Sequence, residues 1–319
     1  MGVLVTGGTG LVGAALVRLL VERGEEDIAV FDRDTARKTL MGVADRVTLI
    51  RGDLGILSHV VEAVSSCRPK IIFHLGAMLT APSNDDPASA FQANAAGTFH
   101  VLETARLFGV KQVFFASSIG SYGLDIKSEV IDDFTIQRPT SMYGVSKVFG
   151  ENLGRYYKLR YGLDFRGLRY PGIMGPGFRT PSLARYASLL IEESVKGRPF
   201  ALSVAPDVKH PLLYFKDAAL AMIKLAQAPE SDIKTVNYLL DGIEPQKTAQ
   251  EMTDMVKARL PGARLTFEPD PAVTRIYYSM RPLDDRCARE EWDWQPEYNY
   301  ERLIDDFIAE LRQHPERYA

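Results

Sequence analysis

Short apolar runs alternate with amphipathic stretches along the first half of the chain. Val3-Leu4-Val5 reads as a strand. From Ala14 to Glu22 the apolar positions recur at helical spacing, and Gly24 ends the run. Ile28 to Phe31 and Val47 to Ile50 are further strands, with helical periodicity from Val60 to Ser65 after them. Ile71 to Ala77 is a strand that runs into small residues. Pro87 to Phe108 patterns as one long helix, Val113 to Ala116 as a strand, Tyr143 to Tyr161 as a helix and Phe165 to Tyr170 as a strand. At Pro171 the texture changes. Glycines and prolines crowd the stretch to Pro181, too many to continue a regular element. Beyond it, Leu183 to Lys196 is helical and Leu212 to Gln227 is strand then helix. Val236 to Leu240 is a strand, Ala249 to Leu260 a helix and Leu265 to Glu268 a strand. The tail from Arg281 to Arg312 is polar, then amphipathic. Trp292, Trp294 and Tyr298 are expected to pin it to the body.

This alternation predicts an α/β fold in two parts. A dinucleotide-type region spans 1–170, with a return segment at about 212–241. A smaller lobe and the tail make up 171–319. Substrate contacts are expected on the Gly/Pro loop, because loops carried on a rigid sheet hold most binding residues.

The glycines at the first turn carry chemistry. Gly7, Gly10 and Gly13 fall between the first strand and the first helix, with Leu11 and Val12 among them. A strand, a glycine turn, a helix and a second strand within about thirty residues is the setting of a dinucleotide fingerprint. The turn lets backbone approach a pyrophosphate, and the helix N-terminus faces it. Asp32 closes the second strand, where a carboxylate accepts hydrogen bonds from a ribose diol and repels a 2′-phosphate. That favours NAD over NADP, although Arg33 stands beside it. Asp53 and Leu54 either approach the adenine or, for Asp53, cap the following helix. Gly76 and Ala77 follow the carboxyl end of a strand, where open parallel sheets bind ligands. His74 lies on that strand and reads as a packed core histidine. Asn94 inside a helix is not a propensity choice and is expected to tie that helix to the neighbouring turn.

Tyr143 and Lys147 are four residues apart, so a helix places both on one face. A cation beside a phenol favours the phenolate and lowers its pKa, making it an acid/base group. Ser117 and Ser118 end a strand in the same crevice as the glycine turn.

Composition narrows the class. The chain has 319 residues, 46% hydrophobic and 25% charged, as a globular protein has, and a net charge of −3 leaves no basic footprint for nucleic acid. No apolar run is long enough to span a bilayer, and the N-terminus lacks a basic leader. Cys67 and Cys287 are too few for a disulfide framework and fit a reducing cytoplasm. No His or Cys spacing resembles a metal site.

Together these motifs resemble the extended short-chain dehydrogenase/reductase family, of the NAD-dependent epimerase/dehydratase type. They are Thr6 to Gly13, His74 to Ala77, Asn94 with Gly97-Thr98, Ser117-Ser118, Tyr143-Gly144-Val145-Ser146-Lys147 and Arg169-Tyr170-Pro171-Gly172. The resemblance implies a doubly wound parallel sheet (Rossmann) with a smaller C-terminal substrate lobe, NAD as cofactor, and a homodimer packed through the Pro87–Phe108 and Tyr143–Tyr161 helices. It implies Tyr143 as acid/base and Lys147 as the ribose-holding cation. Ser117 or Ser118 orients the substrate oxygen, with Ser117 slightly ahead. Leu75, Asn94, Tyr170, Gly172 and Ile173 become further cofactor contacts.

Within the family the likeness is to short-chain-type L-threonine 3-dehydrogenases, which oxidise L-threonine to 2-amino-3-oxobutanoate. Thr80, Ser118, Arg179, Thr180 and Ser182 are then substrate contacts, with Arg179 placed to meet a carboxylate. The segment Met174 to Ser182 departs from the Gly- and Thr-rich loop of those enzymes, so a different small hydroxy acid fits as well. The alternatives are a nucleotide-sugar 4-epimerase or dehydratase, and a non-catalytic NAD sensor.

Overall fold

A computed structural model describes residues 2–35, 38–177 and 185–318. Seven strands make one parallel sheet: β1 (Val3–Thr6), β2 (Ile28–Asp32), β3 (Thr48–Arg51), β4 (Ile71–His74), β5 (Gln112–Ser118), β6 (Asp164–Tyr170) and β10 (Asn237–Leu239). Their order is β10-β6-β5-β4-β1-β2-β3. The chain winds outward in one direction through β2 and β3, then in the other through β4, β5 and β6. The sheet is therefore doubly wound, with its switch point between β1 and β4. Two small parallel pairs complete the strands. One is β7 (Gly172–Met174) with β9 (Leu212–Tyr214); the other is β8 (Phe200–Leu202) with β11 (Leu265–Phe267).

The helices are α1 (Leu11–Glu22), α2 (Leu57–Cys67), α3 (Thr80–Asp85), α4 (Pro87–Ala90), α5 (Gly97–Leu107), α6 (Met142–Tyr161), α7 (Arg185–Val195), α8 (Phe215–Gln227), α9 (Ala249–Arg259), α10 (Pro271–Tyr278), α11 (Arg286–Trp292) and α12 (Tyr300–Gln313). Strand residues alternate between the two sheet faces. Val3, Val5, Val30, Phe73 and Phe114 pack on one face with α1 and α8. Leu4, Phe31, Ile72, Val113 and Phe115 pack on the other with α2 and α5. In the return segment α8 lies on α1 and β10 extends the sheet beside β6, whereas β9 pairs with β7 away from the sheet.

The long helix expected from Pro87 to Phe108 differs in one respect. It passes from α4 into a π-helical turn, Phe91–Ala96, before continuing as α5. Asn94 lies in that turn and is buried. Its Oδ1 accepts from the Met78 amide at 2.7 Å, and its Nδ2 donates to the Met78 carbonyl at 2.9 Å and to Ser146 Oγ at 3.2 Å. The side chain saturates one peptide of the loop after β4, and the wider turn accommodates it.

The tail is fixed by aromatic and polar contacts. Trp294 is fully buried 5.4 Å from Trp292, which meets Tyr238 edge-on; Tyr298 packs 4.8 Å from Tyr214. Asp217 accepts the amides of Glu297 at 3.0 Å and Tyr298 at 3.1 Å. Among the described residues no helix is long and apolar enough to cross a membrane.

Helix α6 lies very close to the sheet. Gly150 and Gly154 face the rings of Phe115 and Phe165, and a Cβ on Gly154 would fall 2.1 Å from Phe165 Cζ. Alanine there gains about 1 kcal/mol of helix propensity but must push helix and ring apart. Gly154→Ala should therefore destabilise the protein by about 1–3 kcal/mol overall. Urea unfolding measures it, and an unchanged or raised midpoint would show that the contact is slack.

Candidate active site

The carboxyl ends of β1, β2, β4, β5 and β6 open on a cleft of about 1190 Å³, bounded on its far side by α7, α10 and the segment before β9. Its floor on the β1 side is the glycine turn. Gly7 takes a φ of +70°, and a Cβ on it would lie 2.6 Å from Gly76. A Cβ on Gly13 would lie 2.2 Å from the Gly7 carbonyl. The turn, the loop after β4 and α1 thus touch backbone to backbone. Gly10 is the N-cap of α1 and brings no side-chain acceptor, while Leu11 and Val12 line the cleft. The leading amides of a helix have no intrahelical partners, so this end can hold an anion.

Asp32 is fixed at the end of β2. Its Oδ2 accepts from the Thr9 amide at 3.1 Å and hydroxyl at 2.6 Å, and among the described residues Oδ1 has only a long approach from the Asp34 amide, 3.5 Å. Arg33 is exposed. Asp53 lines the cleft and also accepts the Gly55 amide at 2.8 Å, so it closes a turn ahead of α2 while Ile56 is that helix's N-cap. Leu54, Leu75, Gly76, Ala77, Tyr170, Gly172 and Ile173 all line the same cleft. Asn94 does not. It stands behind the wall and braces Met78, which does line it. His74 is a buried core residue between the hydroxyls of Thr6 (2.7 Å) and Thr98 (3.1 Å), and burial pushes its pKa down to about 3.

Tyr143, Lys147, Ser117 and Ser118 come together where β5 meets α6. Lys147 is buried. Its Nζ donates to the Ala116 carbonyl at 2.7 Å and lies 4.7 Å from the Phe115 ring centre and 5.3 Å from that of Tyr143. Burial lowers its pKa to about 7, opposed by the charge of Glu151. Burial raises the Tyr143 phenol to about 12, opposed by a hydrogen bond from Ser118. The expectation that Lys147 draws the phenol toward neutrality is therefore not met here. Burial penalises the phenolate more strongly, and the hydroxyl that offsets it belongs to Ser118.

The two serines have different partners. Ser118 reaches Tyr143, and its Oγ accepts the Gly120 amide at 3.0 Å. Ser117 is buried and donates to Glu151 Oε1. Glu151 is the residue the motifs did not flag, although it continues the spacing of Tyr143 and Lys147 by one more turn. It is buried and paired with Arg169, whose Nη2 is 2.7 Å from Oε2. Arg169 also donates to Tyr122 Oη at 2.9 Å and the Asp133 carbonyl at 2.8 Å. Behind the reacting groups lies a closed polar network.

Thr80 lines the cleft at the start of α3. Arg179, Thr180 and Ser182 lie outside the described residues. The far wall carries Arg185, Tyr186 and His210, which sequence reasoning did not select. Arg185 Nε, Tyr186 Oη and His210 Nε2 are buried with no hydrogen-bond partner among the described residues. Nothing in their local sequence marks them. Among the described residues no cluster of His, Cys, Asp and Glu could hold a metal.

Comparison with known proteins agrees with this geometry. A model of the NAD dependent epimerase/dehydratase family matches residues 3–239. The mitochondrial L-threonine 3-dehydrogenase of Bos taurus is 33% identical over 310 residues, 95% of this chain and 80% of the relative. The solved structure of an L-threonine dehydrogenase from Cupriavidus necator, in its holo form, superposes with a TM-score of 0.88 at 27% identity, covering 98% of this chain and 100% of that one. A UDP-glucose 4-epimerase from Thermus thermophilus, solved in complex with NAD, superposes with a TM-score of 0.81 at 26% identity, over 98% and 99% of the two chains. The chain belongs to the NAD-dependent epimerase/dehydratase family and is an NAD-dependent enzyme of the extended short-chain dehydrogenase type.

Proposed function

We propose that this enzyme oxidises the secondary alcohol of a small hydroxy acid, with L-threonine the first substrate to test. The observation that carries the reading is the Tyr143 phenol, with Lys147 beside it and Ser118 close enough to lower its pKa, in the same cleft as the glycine turn. The named activities of the similar dehydrogenases support it. The residues present fit the dinucleotide. The uncapped start of α1 suits its pyrophosphate, and Asp32 suits a ribose diol and opposes a 2′-phosphate, which favours NAD over NADP. Bound there, NAD supplies the hydride acceptor. Lys147 has donors beyond the one held by Ala116 and can bond the nicotinamide ribose.

Tyr143 takes the alcohol proton. Ser118 turns its one O–H from the phenol to the substrate oxygen as negative charge develops there. Ser117 serves indirectly, by holding Glu151. A homodimer is part of the same proposal. Val145, Phe149, Tyr156 and Leu159 on α6 are exposed, as are Phe99 and Leu107 on the adjoining α5. An apolar face of that kind marks an association surface.

The deciding assay follows NADH formation at 340 nm with L-threonine, other hydroxy acids and UDP-galactose. Turnover of a hydroxy acid that collapses in Tyr143→Phe, with NAD binding retained, is the expected result. Interconversion of UDP-galactose with no alcohol oxidised would make the chain a sugar epimerase instead. The phenol pKa sets the pH profile. With its folded value raised to about 12, the proton-accepting form is scarce at pH 7 and grows as pH rises. Oxidation should accelerate between pH 7 and 9 while the reverse reduction, which needs the protonated phenol, does not. A flat oxidation profile removes Tyr143 as the titrating base.

The serines should separate kinetically. Ser118→Ala should cost about 10²–10³ in kcat, as loss of one oxyanion donor does. Ser117→Ala should cost mainly stability, about 1–3 kcal/mol for an unmet buried partner. Kinetics and denaturant unfolding on both variants check this, and the opposite ordering would restore Ser117. Phe149→Glu should convert a dimer to a monomer by light scattering, and an unchanged mass places the interface elsewhere.

A further inference from the structure

Arg185 opens helix α7 on the far wall of the cleft. Its Nε has almost no accessible surface and no acceptor among the described residues. A guanidinium is always charged, and burying part of it without an acceptor is costly. Leu189, Val273, Ile276 and Met280 line the same side of the cleft, together with Ser203 and Ser279. Tyr186 Oη and His210 Nε2 also lack partners there, but both groups are uncharged. His210 directs Nδ1 at Met280 Sδ, 3.2 Å away, and burial holds its pKa down at about 4. At neutral pH the charge on the buried part of this wall is that of Arg185.

The distribution of acids sharpens the point. Of the described residues that line the cleft, the carboxylates are Asp32 and Asp53, both on the dinucleotide side. The charged groups of the substrate side are Lys147, Arg185 and, at the exposed rim, Arg281. An anion is complementary to this end. An ammonium group meets no carboxylate there among the described residues.

We propose that Arg185 recognises the substrate's carboxylate through its two Nη groups as a bidentate pair, and that the preferred substrate is a hydroxy-carboxylate with no α-ammonium group. The assignment rests on the hydroxy-acid reading above and narrows it, setting simple 3-hydroxy acids ahead of L-threonine. Low surrounding polarity strengthens such a pair. A planar guanidinium also selects carboxylate over carboxamide, which offers one acceptor oxygen in place of two.

The test uses 3-hydroxybutyrate, 3-hydroxybutyramide and L-threonine with the wild type, Arg185→Gln and Arg185→Lys. NAD titration of each variant serves as the check on folding. The wild type should favour the acid over both the amide and L-threonine. In Arg185→Gln the KM for the acid should rise about 10- to 100-fold, the worth of hydrogen bonds to a charged group. The preference for acid over amide should collapse, and Arg185→Lys should restore part of it. A preference retained in Arg185→Gln overturns the assignment, and so does a wild type that favours L-threonine.

If the wild type oxidises none of these alcohols, the hydroxy-acid reading fails by itself. Arg185 is then judged by calorimetric titration of 3-hydroxybutyrate into NAD-loaded protein. Binding lost in Arg185→Gln supports the anion site; no binding to the wild type overturns it. UDP-galactose binding that depends on Arg185 while 3-hydroxybutyrate binding does not would assign the arginine to a diphosphate and overturn the carboxylate.

Discussion

The cleft floor depends on how closely α6 lies against the sheet. Two glycines one turn apart, Gly150 and Gly154, let its backbone settle onto Phe115 and Phe165. Only at that separation can Lys147 reach the carbonyl of Ala116, and only in that register does Tyr143 meet Ser118 at the end of β5. A helix held farther off by side chains would carry the same motif without delivering it. The price is a buried polar strip, since the face that carries Tyr143 and Lys147 turns toward the sheet.

The protein offsets that burial with paired charge. Glu151 lies one turn beyond Lys147, raises its pKa against the larger effect of burial, and is itself held by Arg169 and Ser117. Breaking a buried ion pair by removing one partner costs about 3–5 kcal/mol, so Glu151 and Arg169 are fixed as a unit. Their rigidity passes to the reacting groups through a single helix. Burial thus displaces the Tyr143 and Lys147 titrations in opposite directions, each toward its uncharged form. Proton transfer then waits on what enters the cleft.

Much of this was legible in the sequence, for reasons that differ by residue. Gly7, Gly10 and Gly13 were readable because their spacing follows from contacts within one turn and the helix it starts. Tyr143 and Lys147 were readable because four residues make nearly one helical turn. The different partners of the two serines were not. Alternation along β5 sends Ser117 to the face it shares with Phe115, where Glu151 receives it, and this depends on which helix covers that face. Asn94 announced itself as a misfit in a helix, but its target, the Met78 peptide, is set by the loop after β4. Arg185 was invisible because its significance is the lack of a partner among the described residues, a tertiary property with no local signature.

The two halves of the cleft are therefore specified in different ways. The dinucleotide half is built from backbone: glycine turns, a helix end and strand termini, whose geometry tolerates little change. A Cβ at Gly7 or Gly13 would collide with main chain rather than with a movable side chain. The far half is built from side chains on α7, α10 and the segment before β9, which a mutation can exchange without disturbing the sheet. Proteins sharing the first half are thus free to differ in the second. On the proposed reading the chemistry lies with α6 on its sheet, and the choice of substrate with groups on the opposite wall. Of these, Arg185 is the cation whose Nε lacks an acceptor among the described residues.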